Sequence, residues 1–327
     1  MATRTIFRTL LGAACAAVIG AVFVHGASFA AYPDRAIRII VPFGPGSATD
    51  VTAREFGAAL GKITGQPIVV DNRPGAEGLI GVKALMSEPA DGYTLMLATS
   101  SITVLDPLLK ANPTVDPLRD FAPVCSLMST PMVAFITGAL PFGSLAEFVE
   151  SARANPEKYT YGYASSNLRL SAEIFQQQHG IKLRGVPYKT SGQSIQGVAA
   201  GEVDFMMNDA IGIAALAKAG KLRPLVVAAD RRSAILPEVP AAPDLGKQDL
   251  KINVWYALYV NKDTPAETRS KLMEIVQRAS RDPDYLRSSM NAAREELLMC
   301  GDAVTRFQAS EMTRFKAVIE RAAIAKE

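Results

Sequence analysis

Short apolar runs alternate with stretches of helical periodicity along almost the whole chain, and that alternation admits few folds. Strands are expected at 37–41, 68–70 and 93–98, with helices over 51–60 and 76–86 between them. A polar connection at 116–120 leads into a long apolar segment, 124–137, broken by Pro131. The style then repeats, with strands at 160–164, 186–188, 203–207 and 225–229 and helices over 145–155, 168–179, 193–200 and 211–219. A strand at 254–260 and helices over 265–280, 283–291 and 302–323 finish the chain, with Asp302 a natural N-cap for the last. Strands separated by helices build α/β layers. The segments 124–137 and 254–260 read as crossings between two lobes. The first lobe is then discontinuous, 31–129 with 254–327, and the second, 130–253, is inserted into it. A cleft is expected between them.

Residues 1–30 are of a different kind. Arg4 and Arg8 precede an apolar run from Leu10 to Val24 that holds no acid, and Ser28-Phe29-Ala30 sets small residues where a signal peptidase reads. The run is short for a membrane span of roughly 20 residues, and no lipoprotein pattern surrounds Cys15. Export to the periplasm by a cleavable signal is the expectation, leaving a mature chain from Ala31. Without Arg4 and Arg8 the 35 basic residues become 33 against 32 acidic ones, a balance of +1. That balance does not fit a binder of nucleic acid or of membrane surfaces. Cys125 and Cys300 remain. Export permits a bridge between them, but nothing in the sequence brings them together, and two small buried side chains is the plainer reading.

The catalytic inventory is thin. With His25 in the signal, His179 is the one histidine of the mature chain, and it sits beside Gly180 at a helix end. A Ser-His-Asp triad would rest on this residue alone. Metal-ligand spacings such as HExxH or CxxC are missing, and Gly44-Pro45-Gly46 lacks the third glycine and the Lys-Ser/Thr of a phosphate cradle. Neither an enzyme nor a cofactor is expected.

What the sequence does offer is a pair of strand-to-helix turns. The first is Phe43-Gly44-Pro45-Gly46-Ser47-Ala48-Thr49-Asp50, where two glycines let the backbone approach a ligand closely and Ser47 and Asp50 have capping-box spacing. The second is Tyr163-Ala164-Ser165-Ser166-Asn167. A helix N-terminus presents unpaired N–H groups and the positive end of the helix dipole, which together attract anions. Exposed, the dipole contributes only about 0.3–1 kcal/mol, so two such turns facing one cleft are needed. Arg169 and Lys189 lie near enough in sequence to add a cation, although each also reads as a solvated surface charge. Tyr163, Tyr188, Phe43 and Trp255 either line the cleft with aromatic surface or belong to the core.

With these residues in place a resemblance is visible. Tyr32-Pro33-Asp34, the run IRIIVPF and the Gly-rich turn to Asp50 resemble the start of the Bug family, the solute receptors of tripartite tricarboxylate transporters. Residues 65–76 resemble its GQPVVVENRPGA, 89–95 its PDGYTL, 120–124 its DFAPV, 186–189 its VPYKG and 201–204 its GQVD. The resemblance runs through nearly the whole mature chain. It implies a type II-like periplasmic-binding-protein fold, with two lobes and a hinged cleft, that holds ligand carboxylates at the two turns, partly through water. Carried over by position, the ligand-binding set is Phe43, Gly44, Gly46, Ser47, Ala48, Thr49 and Asp50, with Tyr163, Ser165, Ser166, Asn167, Arg169, Tyr188, Asn208 and Asp209. Asp50 is expected to cap the helix or face a polar ligand group, since it would repel an anion. Ser47 and Ala48 stand where the family usually has glycine, Glu77-Gly78-Leu79 stands where it has Gly-Gly-Asn, and Asn208-Asp209 reverses its usual order.

The expected function is capture of a small organic anion, a di- or tricarboxylate or an aromatic acid, by a monomer that delivers it to membrane permease subunits. A periplasmic sensor feeding a two-component kinase shares the same binding chemistry. An exported hydrolase is the remaining alternative and depends on His179.

Overall fold

β1 (Ile37–Val41) has the sequence IRIIV, and four of its five residues are fully buried. Such a run suits a parallel strand covered by helices on both faces. The computed structural model describes residues 32–247, 250–292, 294–321, 324 and 326, and the signal-peptide reading of 1–30 lies outside them. All elements below belong to the unit Arg35–Glu327. After β1 come α1 (Ala48–Thr64), β2 (Ile68–Asn72), α2 (Leu79–Ser87) and β3 (Thr94–Thr99). A π-helical segment, Ser101–Leu105, leads to the short α3 (Asp106–Leu109) and α4 (Pro117–Asp120), so the expected polar connection contains a helical turn. β4 (Phe121–Thr137), α5 (Leu145–Ala154), β5 (Thr160–Tyr163), α6 (Ser166–His179), β6 (Arg184–Pro187), α7 (Ser191–Ala200), β7 (Phe205–Asp209), α8 (Ala210–Lys218) and β8 (Leu222–Val227) follow. The chain closes with β9 (Asn253–Asn261), α9 (Ala266–Ala279), α10 (Pro283–Asn291), β10 (Glu295–Glu296) and α11 (Asp302–Arg321). Asp302 is the first residue within α11, where an acid still complements the helix dipole.

Helix ends follow local chemistry. Ser47, Ser144, Ser165, Thr190 and Asp209 cap N-termini with side-chain oxygens, and Gly65, Gly180 and Gly201 close α1, α6 and α7 in the left-handed region. The helix expected over 76–86 is divided. Ala76–Gly78 forms a separate 3-10 turn, and Ala76 and Glu77 have φ of 46° and 55°.

β4 carries the topology. Pro131 does not break it. Residues 121–131 pair antiparallel with β9, and from Met132 the strand pairs with β7 and β8 instead. A proline cannot donate to a sheet ladder, and this one lies where the ladder changes partners. On one side of that exchange β2, β1, β3 and β9 lie in order; on the other, β7, β5 and β6. Each side has its own aromatic core. Phe148, Phe175 and Phe205 are fully buried together, with Phe148 and Phe205 stacked at 5.6 Å. Phe56, Trp255 and Tyr259 are buried on the other side, Trp255 lying 5.4 Å from Phe307 of α11. Cys125 and Cys300 are joined, S–S 2.00 Å, which corrects the reading of two free thiols. The bridge pins the start of α11 to β4.

Candidate functional site

Strand direction brings the turns together. β1, β2 and β3 are parallel, so Val41, Asn72 and Thr99 end along one edge. Thr99 pairs with Tyr256 of β9, and β9 pairs with β4 up to Asn253 and Pro131. One residue further along, Met132 pairs with Asp209, the last residue of β7. β5 and β6 run parallel to β7, so Tyr163 and Pro187 end at the same edge as Asp209. The two sets of strand ends therefore point toward each other across residues 130–132 of β4. α6 packs against the π-helical segment that follows β3.

The first turn is tightly held. Ser47 Oγ accepts from Asp50 N–H at 3.2 Å, and Asp50 Oδ2 accepts from Gly46 N–H at 2.9 Å. Arg54 pairs with the Asp50 carboxylate at 2.9 Å and donates to Asn72 Oδ1, while Asn72 Nδ2 donates to the Phe43 carbonyl at 3.0 Å. Burial pushes the Asp50 carboxyl up, but Arg54, the Gly46 amide and Asn72 outweigh it and hold the group below its ordinary range. Asp50 is thus engaged by the protein itself. The amides of Ala48 and Thr49 are those that a helix leaves without an intrahelical acceptor. Gly46 has φ +78°, which favours glycine, whereas a Cβ on Gly44 would meet nothing within 4 Å. Packing does not require glycine at position 44.

The second turn repeats this economy. Ser165 Oγ accepts from Leu168 N–H at 3.5 Å, leaving Ser166 and Asn167 at the free positions. Asn167 is buried, and the Arg169 guanidinium lies 5.9 Å from the Tyr163 ring centre. At the third helix start Asn208 Oδ1 accepts from Asp209 N–H, and Asp209 accepts from Gly212 N–H at 2.9 Å. Asp209, like Asp50, is committed to a cap.

Tyr188 and three residues outside the expected set have partners of their own. Tyr188 turns its hydroxyl to Glu202, 3.5 Å away, and Trp255 is core. Glu77 pairs with Lys110 at 3.0 Å. His179 is buried, its Nδ1 2.8 Å from the Phe175 carbonyl. Two cavities lie apart from the two turns. One, of about 30 Å³, is bordered by Ala76, Ile102 and Lys110. The other, of about 230 Å³, is bordered by Thr130, Arg231, Met290 and Arg294.

Arg54, Asn72 and the triplet Thr99-Ser100-Ser101 also stand at these strand ends without a motif that singles them out from sequence. The triplet shows only the general pattern of hydroxyls directly after an apolar strand, as in Ser165-Ser166-Asn167.

The model of the tripartite tricarboxylate transporter family receptor, TctC, matches residues 52–324. The chain belongs to this family. TctC receptors are binding proteins, so this chain captures a solute and does not transform it. Protein BugT of Bordetella pertussis is 30% identical over 312 residues, 93% of this chain and 95% of that protein. A solved periplasmic transporter is 30% identical with a TM-score of 0.83, covering 91% of this chain and all of that one. A Rhodopseudomonas palustris protein solved with adipate is 29% identical with a TM-score of 0.83, over 90% of this chain and 99% of that one. The fold is the mixed α/β fold of periplasmic binding proteins. Among the described residues no helix is long and apolar enough to cross a membrane.

Proposed function

We propose that this TctC receptor captures a small organic carboxylate between the β1–α1 turn (Phe43, Gly44, Gly46, Ser47, Ala48, Thr49) and the β5–α6 turn (Tyr163, Ser165, Ser166, Asn167, Arg169), and presents it to the permease subunits of its transporter in the periplasm. The observation that carries this reading is the shared capping pattern of two opposed helix starts. In each, a serine takes one amide and leaves those before it for an anion. The R. palustris relative bound to adipate supports the ligand class. Asp50 and Asp209 act as caps in this reading. Residues 31–129 with 254–327 form one lobe and 130–253 the other, and the signal in 1–30 is removed on export. Adipate, an aliphatic diacid, is the bound acid of the R. palustris relative and sets the first ligand to try.

The test is a thermal-shift panel of adipate, malate and citrate against their amides. A ligand at a hundredfold excess over Kd stabilises by about 2.7 kcal/mol. At least one acid is expected to raise the melting temperature while its amide does not. Equal shifts from acid and amide would remove the anion reading.

A further inference from the structure

We propose that Thr99, at the end of β3, is a ligand-contacting residue of the same site, its hydroxyl donating to an oxygen of the bound acid. The inference rests on the carboxylate reading above and adds a third turn to it. Paired residues of neighbouring strands share a face of the sheet. Thr99 therefore shares a face with its partner Tyr256, and the β1–β3 register, which ends at Ile40 and Met96, would if carried on put Phe43, two residues past β1, level with it. Ile102, in the segment after Thr99, and Pro42, just before the first turn, both approach Gly78, each within 3.3 Å of where a Gly78 Cβ would stand. Thr99 is thus at the rim where β1 delivers the Gly-rich turn.

Its hydroxyl is the telling group. Thr99 is 4% exposed, and Oγ1 has no hydrogen-bond partner among the described residues. Thr264, Tyr285 and Ser289 also carry such hydroxyls among the described residues, but Thr99 is the one of the four that ends a strand of the parallel set leading to the first turn. Its neighbours are occupied. Ser100 Oγ accepts from Trp255 N–H at 3.4 Å, and Thr103 Oγ1 donates to the Thr99 carbonyl at 3.2 Å. The backbone then winds as a π-helix, a form concentrated at functional sites. Gln308 of α11 holds that segment by donating to the Thr103 carbonyl at 3.0 Å and accepting from Tyr259 at 2.9 Å. A rigidly backed turn thus carries a donor that no acceptor among the described residues uses.

Two variants of the full chain test this, with binding measured by calorimetry using adipate, malate and citrate. Thr99→Val keeps the shape and removes the donor; Thr99→Ser keeps the donor. For an acid bound by the wild type, Thr99→Val is expected to weaken binding about tenfold or more. Thr99→Ser is expected to stay within about threefold, and the ligand-free Thr99→Val protein to melt no lower than wild type. Wild-type affinity in Thr99→Val overturns the assignment and leaves the carboxylate reading intact. So does a lowered ligand-free melting temperature in Thr99→Val alone, which would show a structural partner for the hydroxyl. If the wild type binds none of the three acids, the carboxylate reading fails and this assignment fails with it.

Discussion

His179 shows how one residue can look functional in a sequence and prove structural in the fold. Its imidazole is held by its own helix, with Nδ1 on the Phe175 carbonyl, its ring 4.3 Å from the Phe175 ring, and Nε2 buried without a partner among the described residues. Burial is the largest influence and lowers its pKa. The Phe175 carbonyl opposes this, and Lys247 and Arg153 add to it. The unfolded chain therefore binds a proton at a pH where the folded chain does not. The stabilisation is fully present above the unfolded value of about 6.5 and is lost as pH falls through the depressed folded value. The melting temperature is expected to fall between pH 7.5 and 5.5, and a His179→Asn variant to lose part of that slope. Parallel pH profiles of the two proteins would refute this. The Ser47 cap and Asp50 were legible from spacing because a cap is a local contact. The fates of Trp255 and Tyr188 were not, because only distant partners such as Phe307 and Glu202 decide which way an aromatic ring turns.

At the scale of elements, β4 and its two tethers do the organising. Alternating strands and helices could be read directly, because strand and helix periods differ and glycine marks the helix ends. The exchange of partners within β4 could be read only as a crossing, and Pro131 gave the wrong impression of a break. The disulfide was illegible, since 175 residues separate its cysteines and only the register of β4 with the C-terminal segment brings them together. That separation also gives the bridge its leverage. Closing so long a loop removes unfolded-state entropy worth up to about 5 kcal/mol in the chain-entropy model. α11, which backs the π-helical segment through Gln308, begins just beyond Cys300. A Cys125→Ala, Cys300→Ala double variant is expected to lose about 2–5 kcal/mol of unfolding free energy, measured by urea denaturation. It is also expected to unfold with a lower midpoint than the oxidised wild type. Coincident urea curves would mean that β10 and α11 are anchored by packing alone.

For the whole molecule, the proposed function requires closure, and the topology says where it must occur. The two sets of strand ends face each other across residues 130–132, and β4 is the strand that runs through the exchange, with the neighbouring β9 beginning there at Asn253. Rotation about these strands moves the β1–α1 and β5–α6 turns together while leaving the two aromatic cores intact, which is a hinge in the usual sense. A ligand drives such a motion only through its preference for the closed state. Shifting an equilibrium from 1:99 to 99:1 takes a preference of about 5.5 kcal/mol. A micromolar ligand supplies about 8 kcal/mol in all, so closure is within reach if most contacts form only when both turns meet the anion. Substituting a single turn should therefore cost closure as well as affinity. Small-angle scattering of the wild type is expected to show a smaller radius of gyration with a saturating acid from the panel than without it. Ser165→Leu, which blocks one turn while the other keeps its cap, is expected to hold the larger radius at the same acid concentration. If Ser165→Leu closes as the wild type does, contact with the first turn alone drives the motion, and the two-turn account of capture is wrong.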